Sequence, residues 1–302
     1  MSGKADARTY NSGGPGTLAE EYRQAGRQGR DALSATHLRP GGGGDEAGRT
    51  FGDKYDGGDC WAGQEASGTS IFDPVLCELI YRWFCVPGGT ALDPFAGGSV
   101  RGIVAATLGL QYVGIDLSER QVDANREQAK QICGDGAAPT WIVGDSRDAA
   151  TLAAGEYDLV FSCPPYFDLE VYSDDPADLS RAGDYGEFAD AYRSIIHTCV
   201  GMLKPNRFAC FVVGDVRDKK GFYCNLPGDT IAAFEAAGAR LYNEAILVTA
   251  VGSLPIRVGK QFASGRKLGK THQNVLVFYK GDPKAIKDEF PKEVPAGELP
   301  DG

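Results

Sequence analysis

No stretch of this chain approaches the ~18 consecutive apolar residues needed to cross a bilayer, so no membrane helix is expected. The N-terminus, MSGKADARTYNSGG, has no apolar segment of the kind that marks a secretory signal. Cysteines never fall in a CxxC pair; Cys60, Cys77, Cys85, Cys133, Cys163, Cys199, Cys210 and Cys224 are scattered. That spacing speaks against a zinc ribbon or a disulfide scaffold, and for reduced thiols in a cytoplasmic protein. Positive charge is also short. Lys plus Arg number 31 against 41 for Asp plus Glu, a formal net charge of −10. Binding to nucleic acid through bulk charge is therefore not expected, although a local basic site remains open. His37 and His197 stand in no ligand motif, and no metal is expected. What is there, 42% apolar and 24% charged residues over 302 positions, suits one large globular domain or two small ones.

The first 70 residues hold 16 of the 41 glycines, and only Thr17–Leu38 has a helical pattern. Residues 1–68 read as a flexible Gly-rich arm. Residues 282–302, with four prolines and six acids, read as a solvated tail. Between them, residues 69–281 alternate helix and strand patterns. Helices are expected at Pro74–Cys85, Val100–Leu110, after the Ser118 cap, at Glu187–Leu203 and at Thr230–Ala237. Strands are expected at Thr90–Asp93, Gln111–Asp116, Trp141–Val143, Tyr157–Ser162, Phe208–Val213, Ala245–Val251 and Asn274–Tyr279. Strands separated by helices predict a doubly wound, mostly parallel α/β sheet. The last two strands lack a helical pattern between them and are expected to pair as a hairpin, one of them antiparallel to the rest.

Three acids end three successive strands: Asp93, Asp116 and Asp145. The first is followed by a turn through Gly97 and Gly98, where a bare backbone approaches a ligand closely. The second lies 19 residues beyond Gly97, in Gly114-Ile115-Asp116, where a carboxylate accepts from ribose hydroxyls. The third lies in Gly144-Asp145-Ser146. Carboxylates repel phosphates, so the crevice suits a nucleoside cofactor without phosphate better than a dinucleotide.

The segment Asp93-Pro94-Phe95-Ala96-Gly97-Gly98-Ser99 resembles the DPFxGxG motif of S-adenosylmethionine-dependent amino-methyltransferases that act on DNA bases. Upstream, Thr69-Ser70-Ile71-Phe72-Asp73-Pro74 resembles the motif preceding it in the permuted members. The resemblance spans roughly residues 69–281, with Ser99 in place of the third glycine. It implies a Rossmann-like class I methyltransferase fold and S-adenosyl-L-methionine as cofactor. Phe72, Asp73, Pro94, Phe95 and the Gly97–Ser99 turn would hold its methionine part. Asp116 with Leu117 would take the ribose, and Asp145 with Ser146 the adenine amine.

The fourth strand ends in Ser162-Cys163-Pro164-Pro165-Tyr166. Two prolines after a strand fix an extended turn and remove two N–H donors, leaving carbonyls at the strand tip. The same family carries Asp, Asn or Ser followed by Pro-Pro-Tyr here. An exocyclic base amine is a poor nucleophile because its lone pair is conjugated with the ring. A side-chain oxygen and a backbone carbonyl that accept its hydrogens draw that lone pair out, while the aromatic ring stacks on the flipped base. Cys163 departs from the pattern, since a thiol is a weak acceptor. Either the Pro164 carbonyl does most of the polarising, or Ser162 contributes, or the thiolate attacks ring C6 for C5 methylation.

No large target-recognition insert is present. The acidic segment Phe167–Asp190 suits a lid, whereas Ala245–Gly281 carries Arg257, Lys260, Arg266, Lys267 and Lys270 with no acid. Its Gly-rich core, Gly259–Gly269, is expected to track a phosphate backbone, with Phe262 touching bases. The reading is a methyltransferase acting on the exocyclic amine of a DNA base, N4 of cytosine slightly ahead of N6 of adenine. Its rivals are RNA or a free nucleotide as substrate, C5-cytosine methylation through Cys163, and a catalytically weak cofactor- and DNA-binding module. Oligomeric state is not legible.

Overall fold

The computed structural model describes residues 72–134, 138–167, 177–248 and 254–294. The N-terminal arm with its helix pattern at 17–38, residues 69–71 of the upstream motif, part of the acidic segment and the end of the tail lie outside them.

Helix α1 (Pro74–Phe84) opens on Asp73, whose carboxylate accepts from the Val75 and Leu76 N–H groups. Pro74 sits in the first turn, where its missing N–H costs nothing. There follow β1 (Thr90–Asp93), α2 (Val100–Thr107), β2 (Gln111–Asp116), α3 (Glu119–Cys133) and β3 (Thr140–Val143). Ser118 caps α3 by accepting from the Gln121 N–H at 3.2 Å, but the Gln121 side chain turns to Asn125 rather than closing a capping box. The second half contains α4 (Ala149–Leu152), β4 (Tyr157–Ser162), α5 (Tyr185–Met202), β5 (Leu203–Val213), α6 (Leu226–Ala236), β6 (Arg240–Val248), α7 (Leu254–Gly265), β7 (His272–Lys280) and α8 (Ile286–Glu289).

The seven strands form one sheet in the order β3-β2-β1-β4-β5-β7-β6. All neighbouring pairs from β3 to β5 are parallel, and β7 runs antiparallel to both β5 and β6. This is a Rossmann-like, doubly wound and mostly parallel sheet with an antiparallel strand near the C-terminus. Side chains alternate across the sheet with period two. Val160, Ala209, Phe211, Leu276 and Phe278 enter the core beneath α5 and α6, while Leu159, Phe161, Cys210, Val275 and Val277 enter the core beneath α1, α2 and α3. Strands buried on both faces read as continuous apolar runs, which is why β4 and β7 were legible. Among the described residues no helix is long and apolar enough to cross a membrane.

Three elements start more than two residues before the expected place, and α4, α7 and α8 are new, the last within the stretch expected to be a solvated tail. β5 begins five residues early, at Leu203, because its pairing with β4 jumps from Tyr157↔Leu203 to Leu159↔Phe208. The irregularity absorbs Pro205 and Asn206, the latter with φ +58°. α6 begins at Leu226, since Pro227 is tolerated in a first turn. β6 begins at Arg240: it is an exposed edge strand, held by pairing with β7 rather than by an apolar face. α7 occupies part of the stretch expected to be a Gly-rich loop, so β6 and β7 are antiparallel partners but not a tight hairpin.

At the amino edge of the sheet, Asp158 ties three strands together. It accepts from the Thr90 N–H at 3.1 Å, Lys204 Nζ at 2.9 Å and Arg207 Nε at 3.0 Å. Burial pushes its carboxyl up, but these donors outweigh that and hold it below the usual range. A depressed folded pKa adds stability that is present above the unfolded value of ~3.9 and lost as pH falls through the folded one. Asp158→Asn is therefore expected to lower unfolding free energy by about 1–3 kcal/mol near neutral pH. Urea titrations of both proteins should show the gap closing below about pH 4; a gap that persists there would contradict this role.

Candidate functional site

The parallel strands β1–β5 all end at one edge, and the antiparallel β7 begins there, with Val213 opposite Asn274. That carboxyl rim collects the Asp93 turn, Asp116, Asp145, Cys163, Gly214 and Gln273.

Asp93 is fully buried. One carboxylate oxygen accepts from Arg101 Nε at 2.6 Å and the Tyr112 hydroxyl at 2.7 Å; the other accepts from the Ser162 hydroxyl at 2.5 Å and the Phe95 N–H at 3.1 Å. Its acceptor capacity is spent inside the protein, so it shapes the turn rather than presenting a free carboxylate. Burial pushes the Tyr112 phenol well up, with the Asp93 charge adding to it. Arg101, itself buried, also donates to the Phe95 and Ala96 carbonyls at 2.6 and 2.9 Å. Its guanidinium lies 4.7 Å from the centroid of the Phe72 ring, and Phe72 meets Phe161 edge to face. The upstream motif and the Gly turn thus rest on one buried ion pair. Exposed Asp73 serves as the α1 cap. Neither Arg101 nor Tyr112 was singled out from the sequence; the signal for Arg101 was a charge inside the apolar run of α2.

Gly97 adopts φ +50°, and a Cβ on Gly97 or Gly98 would meet nothing within 4 Å. The turn is held from outside: the Gly97 N–H donates to Asp116 at 2.8 Å, and its carbonyl accepts from Asn125 Nδ2 at 2.7 Å. The buried Ser99 hydroxyl points away, to Gln128 on α3. Each Asp116 oxygen takes one backbone N–H, from Gly97 and from Ser118. Burial raises its carboxyl above the usual range, opposed by those two bonds. Half-buried Leu117 follows it on the rim. Asp145 accepts from the Arg147 backbone N–H and Nε at 2.9 and 2.7 Å, so this third acid is charge-paired. The buried Ser146 hydroxyl donates to the carbonyl of Pro94, which is buried too. An open backbone turn beside the Asp116 carboxylate suits a ligand rich in hydroxyl donors.

Ser162 is fully buried, and its hydroxyl donates to Asp93, on the core side of the strand tip. Beyond it, Pro164 is buried, Pro165 and Tyr166 are half-buried, and Cys163 Sγ lies 3.9 Å from the Tyr166 hydroxyl. Gln273 on β7 donates to that hydroxyl at 2.5 Å. Gly214 lies under the ring, where a Cβ would touch it at 3.6 Å. Phe167 adopts φ +28°, unusual for a bulky residue, and buries its ring against Tyr185 and Phe188. Tyr166 is thus fixed by a tight turn, a hydrogen bond and a glycine; no pattern in the sequence announced Gln273.

Lys260 lies on α7, while Arg266, with φ +52°, Lys267 and Lys270 follow its end. Lys260 and Arg266 are exposed, and Lys267 and Lys270 half-buried. Arg257 falls on α7, and its side chain lies outside those described. Described parts of the acidic segment are partly packed: Asp178 bonds Ser180, and both are buried. Among the described residues no group of three or more His, Cys, Asp or Glu is placed to hold a metal, and none of their seven cysteines is in a disulfide.

No protein-family model matches the chain, and no curated protein matches it. Solved structures are similar at low identity. TrmN from Thermus thermophilus is 18% identical over 69% of this chain and 49% of its own, with a TM-score of 0.46. The chain thus spans about half the length of that protein. A methyltransferase from Pyrococcus furiosus is 15% identical over 87% of this chain and all of its own, with a TM-score of 0.48. The magnesium protoporphyrin IX methyltransferase from Synechocystis is 14% identical over 69% and 81%, with a TM-score of 0.45.

Removing Arg101 strands a buried carboxylate. Arg101→Met is expected to cost about 3–5 kcal/mol of stability, read by urea unfolding, and Asp93→Asn in the same chain to recover part of it. A loss under about 1 kcal/mol would show that the pair is not the anchor of this rim.

Proposed function

We propose that the protein transfers a methyl group from S-adenosylmethionine to the exocyclic amine of a nucleic-acid base, with DNA as substrate and N4 of cytosine slightly favoured over N6 of adenine. The observation that carries this reading is the join between two turns. Ser162 at the end of β4 donates to Asp93 at the end of β1, so the Cys163–Tyr166 turn leaves the sheet directly beside the Asp93–Ser99 turn. The turn that would take a nucleoside and the turn that would take a planar base with an amine are thereby adjacent, and adjacency is most of what in-line group transfer requires.

The residues present fit the cofactor. Gly97 and Gly98 would lie against its methionine part, Asp116 would accept from ribose hydroxyls and Asp145 from the adenine amine, within a catalytic domain spanning residues 69–281. When bound, it supplies an electrophilic methyl group on a sulfonium. Tyr166, held by Gln273 and by the space over Gly214, offers a ring face for the target base. The Pro164 carbonyl accepts an amine hydrogen, which localises the lone pair on nitrogen; Cys163 fills space beside it. The donation of the Ser162 hydroxyl to Asp93 supports giving this role mainly to the carbonyl.

Incubation with cofactor and single-stranded DNA, duplex DNA or RNA, followed by nucleoside analysis, tests the reading. N4-methyldeoxycytidine or N6-methyldeoxyadenosine is the expected product. Methylated RNA alone, 5-methylcytosine alone, or no transfer despite binding would each replace it with a different function. Cys163→Ser separates the mechanisms. It should keep or raise single-turnover activity, because a hydroxyl accepts better than a thiol; a loss of several orders of magnitude would instead reveal a covalent nucleophile. Asp116→Ala should weaken cofactor binding by ~1–3 kcal/mol in calorimetry. Unchanged affinity would remove Asp116 from the site.

A further inference from the structure

Two segments flank Tyr166 on the rim, and each is tied to it. One follows Gly214, which underlies the Tyr166 ring; the other precedes Gln273, which holds its hydroxyl. The first is a hairpin, 215–225, closed by pairing of Arg217 with Tyr223. Its two acids are half-buried and accept backbone N–H groups. Asp215 accepts from the N–H groups of Val216, Asn225 and Leu226, and Asp218 from that of Phe222. What faces outward is basic and aromatic: Lys219 and Lys220 are exposed, and Phe222 is 71% and Tyr223 46% exposed. The Arg217 guanidinium stacks 3.8 Å from the Tyr223 centroid while donating to the Gly221 carbonyl, which stiffens the hairpin.

The second segment is the end of α7 and its exit. It repeats the arrangement, with Phe262 43% exposed and the Arg266 guanidinium 5.0 Å from its centroid. The segments touch. Lys267 Nζ lies so close to Gly221 that a Cβ there would meet it at 2.9 Å. In a chain of net charge −10, one rim surface therefore concentrates Arg and Lys around three exposed rings.

We infer that this surface binds an unpaired stretch of nucleic acid and leads it to Tyr166. Basic groups match the backbone, and exposed rings offer stacking faces to bases of any sequence. Paired bases present no free face to a ring, so the rings favour a single strand over a duplex. The inference rests on the nucleic-acid reading above and names the form in which the substrate is held.

Oligothymidylate of 12 nucleotides is the probe, because thymine has no exocyclic amine and its binding is independent of methyl transfer. In fluorescence anisotropy the single strand should bind at least about tenfold more tightly than the same tract paired with oligoadenylate. Phe222→Ala should weaken it roughly five- to a hundredfold, and Phe222→Tyr should restore it. Lys219→Gln with Lys220→Gln should flatten the salt dependence by about 0.7 in log–log slope per lost contact. Phe222 is largely exposed, and an unchanged thermal midpoint confirms that its variants fold. Equal or tighter duplex binding, or indifference to Phe222→Ala, overturns the inference. Methyl transfer without oligothymidylate binding would remove this surface and keep the activity; binding without transfer would do the reverse.

Discussion

The buried pair of Asp93 and Arg101 holds the rest of the rim in place. Asp93 accepts from a guanidinium, two hydroxyls and one backbone N–H, drawn from α2, β2, β4 and its own turn. Two opposite charges taken out of water are stable only when their hydrogen bonding is complete. That completeness fixes geometry. Arg101 reaches the Phe95 and Ala96 carbonyls and lies on Phe72, so the Gly turn and the segment before α1 share one reference point. Ser162 belongs to the same network, which sets the Cys163–Tyr166 turn beside it.

The two edges of the sheet divide the labour. At the amino edge Asp158 spends its carboxylate on Thr90, Lys204 and Arg207, a clamp between strands. At the carboxyl edge several groups are held in forms that cost something. Asp116 is a carboxylate made harder to ionise by burial, and Phe167 takes a backbone conformation unfavourable to its size. Such costs persist only where the surrounding bonds and packing over-determine the arrangement, as the bonds to Asp116 and the rings around Phe167 do here.

Much of the sheet was legible because β1, β4 and β7 are apolar runs buried on both faces, and α3 because Ser118 is a capping residue in a capping place; that Asp73 caps α1 was shown only by the structure. β6 and α7 were not. β6 is solvent-exposed along nearly its whole length, so its boundaries come from hydrogen bonds to β7, and no periodicity records those. α7 contains Pro255 and Gly259, which argue for a loop in isolation; Pro255 falls in the first turn of the helix, where a missing N–H is tolerated. The basic residues expected on a loop consequently stand on a helix and at its end, beside a hairpin that had drawn no notice.

The sequence by itself determined the alternation of elements, the strand-end acids and the prolines at the tip of β4, because each is a local property of residue type and spacing. It could not say which way those side chains turn. That Asp93 is spent on Arg101, that Ser162 faces inward, that Asp145 pairs with Arg147 and that Gln273 holds Tyr166 from 107 residues away are decisions of packing. Each depends on which donor the folded chain brings within hydrogen-bond reach, and that distance exists only once the sheet has closed.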